Sequence, residues 1–205
     1  MRILFQGDSV TDCNRNYEDF FDLGDGYVMY TAENLKQQFP KADFEFINKG
    51  ISGNRTKDVL ARARADIVDI DPDVITILIG VNDTWRRFDM NDPTTAEEFR
   101  NNYESILKII KEKTRAKIVM LECFVIYGMG RDEYREDLNA KIDETRKLAY
   151  KYADAFIPLD GILAEACMKV SPELISADGV HPAVEGRKIN AGHLAPVIGK
   201  IIKEL

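Results

Sequence analysis

The chain has 205 residues, 45% of them hydrophobic and 31% charged, with a net charge of −7. That balance suits one globular domain over residues 1–205, with a full-sized core, rather than a disordered or membrane-spanning chain. The acidic surface disfavours nucleic acid and anionic membranes as partners. Three cysteines (Cys13, Cys123, Cys167) without a Cys-x-x-Cys pair argue against a disulfide framework or a structural zinc site.

Met1–Asp8 turns polar too early for a secretory signal, and no apolar run approaches the ~20 residues of a membrane helix, so a cytoplasmic setting is expected. Ile3–Phe5 reads as a first strand, Gly26–Phe39 as a helix ended by Pro40, Phe44–Ile47 as a second strand and Thr56–Ile67 as a helix. Val74–Ile79 is the most apolar and β-branched run, as a strand buried on both faces requires. Thr95 and Glu98 have capping-box spacing ahead of a helix reaching about Thr114. Lys117–Leu121 is expected as a fourth strand, Asp132–Tyr152 as a long helix and Ala155–Pro158 as a fifth strand. A short helix over Ile162–Val170 and a final helix over Pro182–Lys203 complete the chain.

Alternating strands and helices predict an α/β fold with a parallel sheet covered on both faces and right-handed crossovers. Ligands of such sheets bind beyond the carboxyl ends of the strands. Ser9 follows the first strand, Ile51–Asn54 the second, Asn82 the third and Cys123–Arg131 the fourth. The residues with chemistry therefore fall on one edge.

A serine hydroxyl needs an adjacent base to act as a nucleophile. Ser9, in Gly7-Asp8-Ser9-Val10-Thr11, stands where a strand gives way to a loop, but Thr11 removes the second glycine of a Gly-x-Ser-x-Gly elbow. The chain has two histidines. His193 lies inside the final helix, whereas His181 lies in a Gly/Pro-bounded loop three residues after Asp178, near enough for a carboxylate–imidazole bond. Asp178 and His181 are equally able to cap the helix that follows. Gly53, Asn82 and the Ser9 N–H are candidate donors to an oxyanion, and turn formation explains Gly53 and Asn82 individually as well. Asp8, Trp85 and Tyr127 are candidate substrate contacts. Trp85, the only tryptophan, suits either stacking on a sugar or anchoring of its loop, and packing is the favoured explanation of Tyr127.

Taken together, Gly7-Asp8-Ser9, Asn48–Asn54, Gly80-Val81-Asn82-Asp83 and Asp178-Gly179-Val180-His181-Pro182 resemble, in order and spacing, the sequence blocks of the SGNH (GDSL) hydrolase family. The resemblance implies a flavodoxin-like three-layer α/β/α fold with a five-stranded parallel sheet. It also implies ester hydrolysis without metal or other cofactor, by Ser9, His181 and Asp178, with an oxyanion hole from Ser9, Gly53 and Asn82. Thr11–Arg15, Lys49–Asn54 and Gly80–Arg86 are most similar to bacterial carbohydrate acetylesterases of the acetylxylan esterase type. The expected substrate is therefore a small acylated molecule, an acetylated sugar or oligosaccharide, and the absence of a long apolar lid favours a short acyl group. Lysophospholipase or thioesterase activity shares the same chemistry. From a different class, a metal-dependent phosphoesterase would use Asp8, Asn82, Asp83, Asp178 and His181. An inactive carbohydrate-binding protein on the same fold is the least favoured alternative, and a homo-oligomer is compatible with every reading.

Overall fold

The computed structural model describes residues 1–205. Five strands, β1 (Arg2–Gly7), β2 (Glu45–Gly50), β3 (Val74–Leu78), β4 (Lys117–Leu121) and β5 (Ala155–Ile157), form one parallel sheet in the order β2-β1-β3-β4-β5. From β1 the chain crosses to one side, and from β3 it proceeds to the other. Strand order therefore reverses between β1 and β3, and a crevice opens there at the carboxyl ends. In β3 all five residues are buried, as the sequence pattern demands of a central strand.

Side chains alternate across the sheet. Ile3, Phe5, Val74 and Leu78 face one core with α2 (Tyr27–Gln38), α7 (Leu159–Ala166) and α9 (Val184–Glu204). Leu4, Ile75 and Ile77 face the other, with α3 (Thr56–Ala63), α5 (Ala96–Lys113) and α6 (Arg135–Tyr152). Helix α5 has the expected capping box: Glu98 N–H donates to Thr95 Oγ1 (3.1 Å), and Thr95 N–H donates to Glu98 Oε2 (2.8 Å).

Several boundaries differ from expectation. The helix over Thr56–Ile67 is α3 followed by a π-helical turn, Arg64–Val68. The long helix begins as a 3₁₀ turn at Asp132–Tyr134, and α7 starts at Leu159 rather than Ile162. Helix α9 starts at Val184, because Pro182 and Ala183 stay outside it and the Pro182 carbonyl accepts from Arg187 Nε (2.8 Å). Three elements were not anticipated: α1 (Ser9–Asp12), α4 (Val81–Asp89) and α8 (Pro172–Ile175). No helix is long and apolar enough to cross a membrane.

Candidate active site

Ser9 is the first residue of α1, a four-residue helix seated directly on the carboxyl end of β1. Asp8 caps it, its Oδ1 accepting from Val10 N–H at 3.0 Å. The close seating depends on Gly7: a side chain there would begin 2.3 Å from Thr11 Oγ1 and 2.4 Å from the Leu78 carbonyl oxygen. Thr11, the residue that breaks the elbow motif, bonds the buried Tyr27 hydroxyl at 2.9 Å and so ties α1 to α2.

The Ser176–Pro182 loop brings the imidazole to this serine. Asp178 Oδ1 accepts from the main-chain N–H of Val180 (3.0 Å) and His181 (2.8 Å), closing a tight turn. Gly179 sits in that turn at φ +80, a left-handed conformation that favours glycine. Asp178 Oδ2 accepts from His181 Nδ1 at 2.7 Å. With the proton on Nδ1, Nε2 is an acceptor, and Ser9 Oγ donates to it at 2.9 Å.

The electrostatics follow from these bonds. The hydrogen bond to Asp178 raises the His181 pKa above its ordinary 6.5, against the opposing effect of burial. Burial alone would raise the Asp178 pKa, but the bonds from the His181 ring and from the His181 and Val180 N–H groups outweigh it and hold the carboxyl well below the usual range. A hydroxyl donating to an oriented imidazole, itself held by a carboxylate, can lose its proton while attacking an electrophile.

The candidate donor Asn82 follows β3, the strand paired with β1. Asn82 is buried in the first turn of α4, and its Nδ2 donates to the Asn54 carbonyl at 3.1 Å, which joins the β3 and β2 loops. That contact uses one of the two Nδ2 protons of Asn82. Asp83 locks the same pair of loops, accepting from Thr56 N–H (3.0 Å) and Thr56 Oγ1 (2.7 Å).

The other candidates separate. Asp8 is only 1% exposed and faces inward, so it serves α1 rather than a substrate. Burial raises its pKa from 3.8 to about 7, and burial likewise raises Asp83 to about 6. Trp85 is on a helix, not a loop. It is half-buried, with its ring centroid 5.8 Å from that of His181 and the Arg131 guanidinium 3.9 Å above it. Tyr127 turns away from the serine: its ring lies 4.3 Å from the Arg135 guanidinium, on a separate apolar cavity of about 220 Å³ that Leu163 and Met168 also line. His193 lies along α9, apart from the cleft. Of the phosphoesterase set, Asp8, Asp83 and Asp178 are each engaged by different partners, and no group of three or more His, Cys, Asp or Glu is arranged to hold a metal ion.

Two supports went unread in the sequence. Ser176, fully buried, donates to the His181 carbonyl at 2.8 Å and lies 3.2 Å from Asp178 Oδ1. Asn48 Nδ2 donates to the carbonyls of Thr11 and Leu23 (2.8 Å each), fixing the α1 segment against β2. Asn48 opens the second sequence block, which is a signal of sorts; nothing near Ser176 marks it.

Beside Ser9 and His181 opens a polar cleft of about 270 Å³, its far wall formed by Cys13, Asn14, Ser52 and Arg187. A parallel sheet with a serine–imidazole–carboxylate relay at its switch point is an architecture of acyl-transferring hydrolases. The chain belongs to the GDSL-like lipase/acylhydrolase family, whose sequence model matches residues 5–189, and it is a carboxylic ester hydrolase. It is 31% identical to the acetylxylan esterase of Geobacillus stearothermophilus, over 97% of this chain and 94% of that one. The solved structure of that esterase superposes with a TM-score of 0.88 at 30% identity, covering 97% of this chain and 94% of the other. A protein from Parabacteroides merdae described as a GDSL-like lipase superposes with a TM-score of 0.92 at 32% identity, covering 97% and 95%. Solved variants of the Geobacillus enzyme include catalytic mutants at a serine, and at an aspartate and a histidine three positions apart.

Proposed function

We propose that the protein removes acetyl groups from carbohydrates by two-step acyl transfer. Ser9 attacks the ester carbonyl as His181 Nε2 takes its proton. The oxyanion is held by the Ser9 and Gly53 N–H groups and by Asn82. His181 then protonates the leaving alcohol, and the same imidazole activates the water that releases acetate. Asp178 fixes the tautomer and stabilises the imidazolium. The observation that carries this reading is the unbroken relay from Ser9 Oγ (2.9 Å) through His181 to Asp178 (2.7 Å). The same Asp–His spacing in the catalytic mutants of the Geobacillus esterase supports it.

Sugar esters with a short acyl group are favoured by the polar cleft beside Ser9 and by the likeness to an acetylxylan esterase. Trp85, next to His181, is the candidate sugar contact from the aromatic side. Ser9→Ala should lower kcat by at least ~10³-fold, and a fluorophosphonate should label the wild-type chain at Ser9 alone. Near-wild-type turnover of nitrophenyl acetate by Ser9→Ala would overturn the assignment. So would faster kcat/KM on nitrophenyl octanoate than on the acetate, for the acyl preference.

A further inference from the structure

The polar cleft has a structure that ester cleavage by itself does not require. Its wall contains two consecutive non-glycine residues in the left-handed region, Cys13 (φ 41) and Asn14 (φ 65). Such conformations are uncommon outside glycine and collect at functional sites. The turn is clamped: Asp25 N–H donates to the Cys13 carbonyl at 2.8 Å, and Asn48 holds the preceding carbonyl of Thr11. It presents Asn14 to solvent at the cleft, where its side-chain amide makes no hydrogen bond within the protein.

Arg187, from the first turns of α9, stands in the same wall. Its Nε donates to the Pro182 carbonyl (2.8 Å) and its Nη1 to the Asp25 carbonyl (3.2 Å). The guanidinium is thus held rigidly by two main-chain oxygens while Nη2 keeps its protons free. A fixed fork loses little entropy when it binds a further acceptor. The cleft therefore offers an amide and a guanidinium edge, both unpaired, beside a serine–histidine pair. It has few apolar side chains to receive an acyl chain.

We propose that this cleft is the subsite for the alcohol half of the ester, with Asn14 and Arg187 donating hydrogen bonds to the hydroxyl and ring oxygens of a pyranose. The inference rests on the reading of the protein as a sugar-ester hydrolase and names the side chains that select the sugar. The placement follows from the proton path. The leaving oxygen takes its proton from His181 Nε2, so the group it carries extends along the wall that His181 and Pro182 share with Arg187.

The test compares kcat/KM on a methyl mono-O-acetyl xylopyranoside with that on nitrophenyl acetate, whose leaving group lacks the sugar's oxygens. Asn14→Gly is the decisive variant, since glycine keeps the left-handed turn and removes only the amide. It should lower kcat/KM for the sugar ester by about three- to tenfold, the range one neutral hydrogen bond is worth, chiefly through KM and well beyond any fall on nitrophenyl acetate. Arg187→Gln should lower it further, with the same bias toward the sugar. Equal losses on the two esters would mean that these residues only support the fold, and would overturn the subsite. Undiminished sugar turnover in both variants would overturn it too. A wild-type enzyme that cleaves nitrophenyl acetate but leaves the sugar ester intact overturns the sugar reading itself, and the subsite with it.

Discussion

His181 is held at both ring nitrogens, and its titration should be visible in the rate. It acts as a base only when neutral, and the Asp178 bond raises its pKa above 6.5. Activity should therefore rise with pH to a plateau, with the midpoint of the acid limb above 6.5. Asp178→Asn removes the anion that favours the imidazolium, so the limb should move to lower pH while kcat falls on the order of 10⁴-fold. A pH–rate profile of each protein checks both effects. Asp8 provides a contrasting case. Its folded pKa of about 7 lies above its ordinary 3.8, so the native state binds the extra proton between those values. Stability must then decline as pH rises from about 4 to about 7. Asp8→Asn keeps the cap on α1 but cannot ionise, so urea midpoints across this range should show a flatter profile than wild type, with Asp83 supplying part of the slope that remains.

Among the elements, the Ser176–Pro182 loop depends most on one residue. A side chain on Gly179 would meet Met129 Cβ at 3.1 Å and the Ile126 carbonyl at 3.2 Å, in a left-handed backbone. Gly179→Ala should cost about 1–2 kcal/mol in denaturant unfolding, with a loss of kcat as the Asp178–His181 turn shifts. Thr95→Ala removes the cap of α5 and should cost about 1 kcal/mol while leaving kcat unaltered. The same contrast explains what could be read in advance. Strands such as Val74–Leu78 declare themselves through unbroken β-branched runs, and α5 through its capping box. Helix α4 did not, because Asn82, Asp83 and Thr84 are weak helix formers and the helix is held in place by Asp83 bonding Thr56, a contact 27 positions away. Val81, Trp85 and Phe88, spaced as one helical face, were the available signal. The order of the site blocks pointed to the edge where Ser9 and His181 meet. The inward turn of Asp8 and the outward turn of Tyr127 depend on packing around α1 and α6, which no local pattern encodes.

At the scale of the molecule, two hydrophobic cores press on the sheet from opposite faces, and the site sits where both meet its edge. Phe99, fully buried in the α5 face, packs against the Gly80 turn that launches α4, its Cε2 only 2.9 Å from where a side chain on Gly80 would begin. Phe99→Ala should therefore cost about 3–5 kcal/mol of stability and also reduce kcat, because the cavity undercuts Asn82. Denaturant midpoints and nitrophenyl acetate kinetics on the same preparation test the pairing. The relay also has an order in time. Ser9 and His181 are 172 positions apart yet share one hydrogen bond. In a chain synthesised from its amino end, the nucleophile emerges long before its base. Every nascent chain that stops short of His181 carries an inert serine, and ester-cleaving power arrives only when the Ser176–Pro182 loop docks onto α1, so the growing polypeptide is chemically silent until that loop has been made.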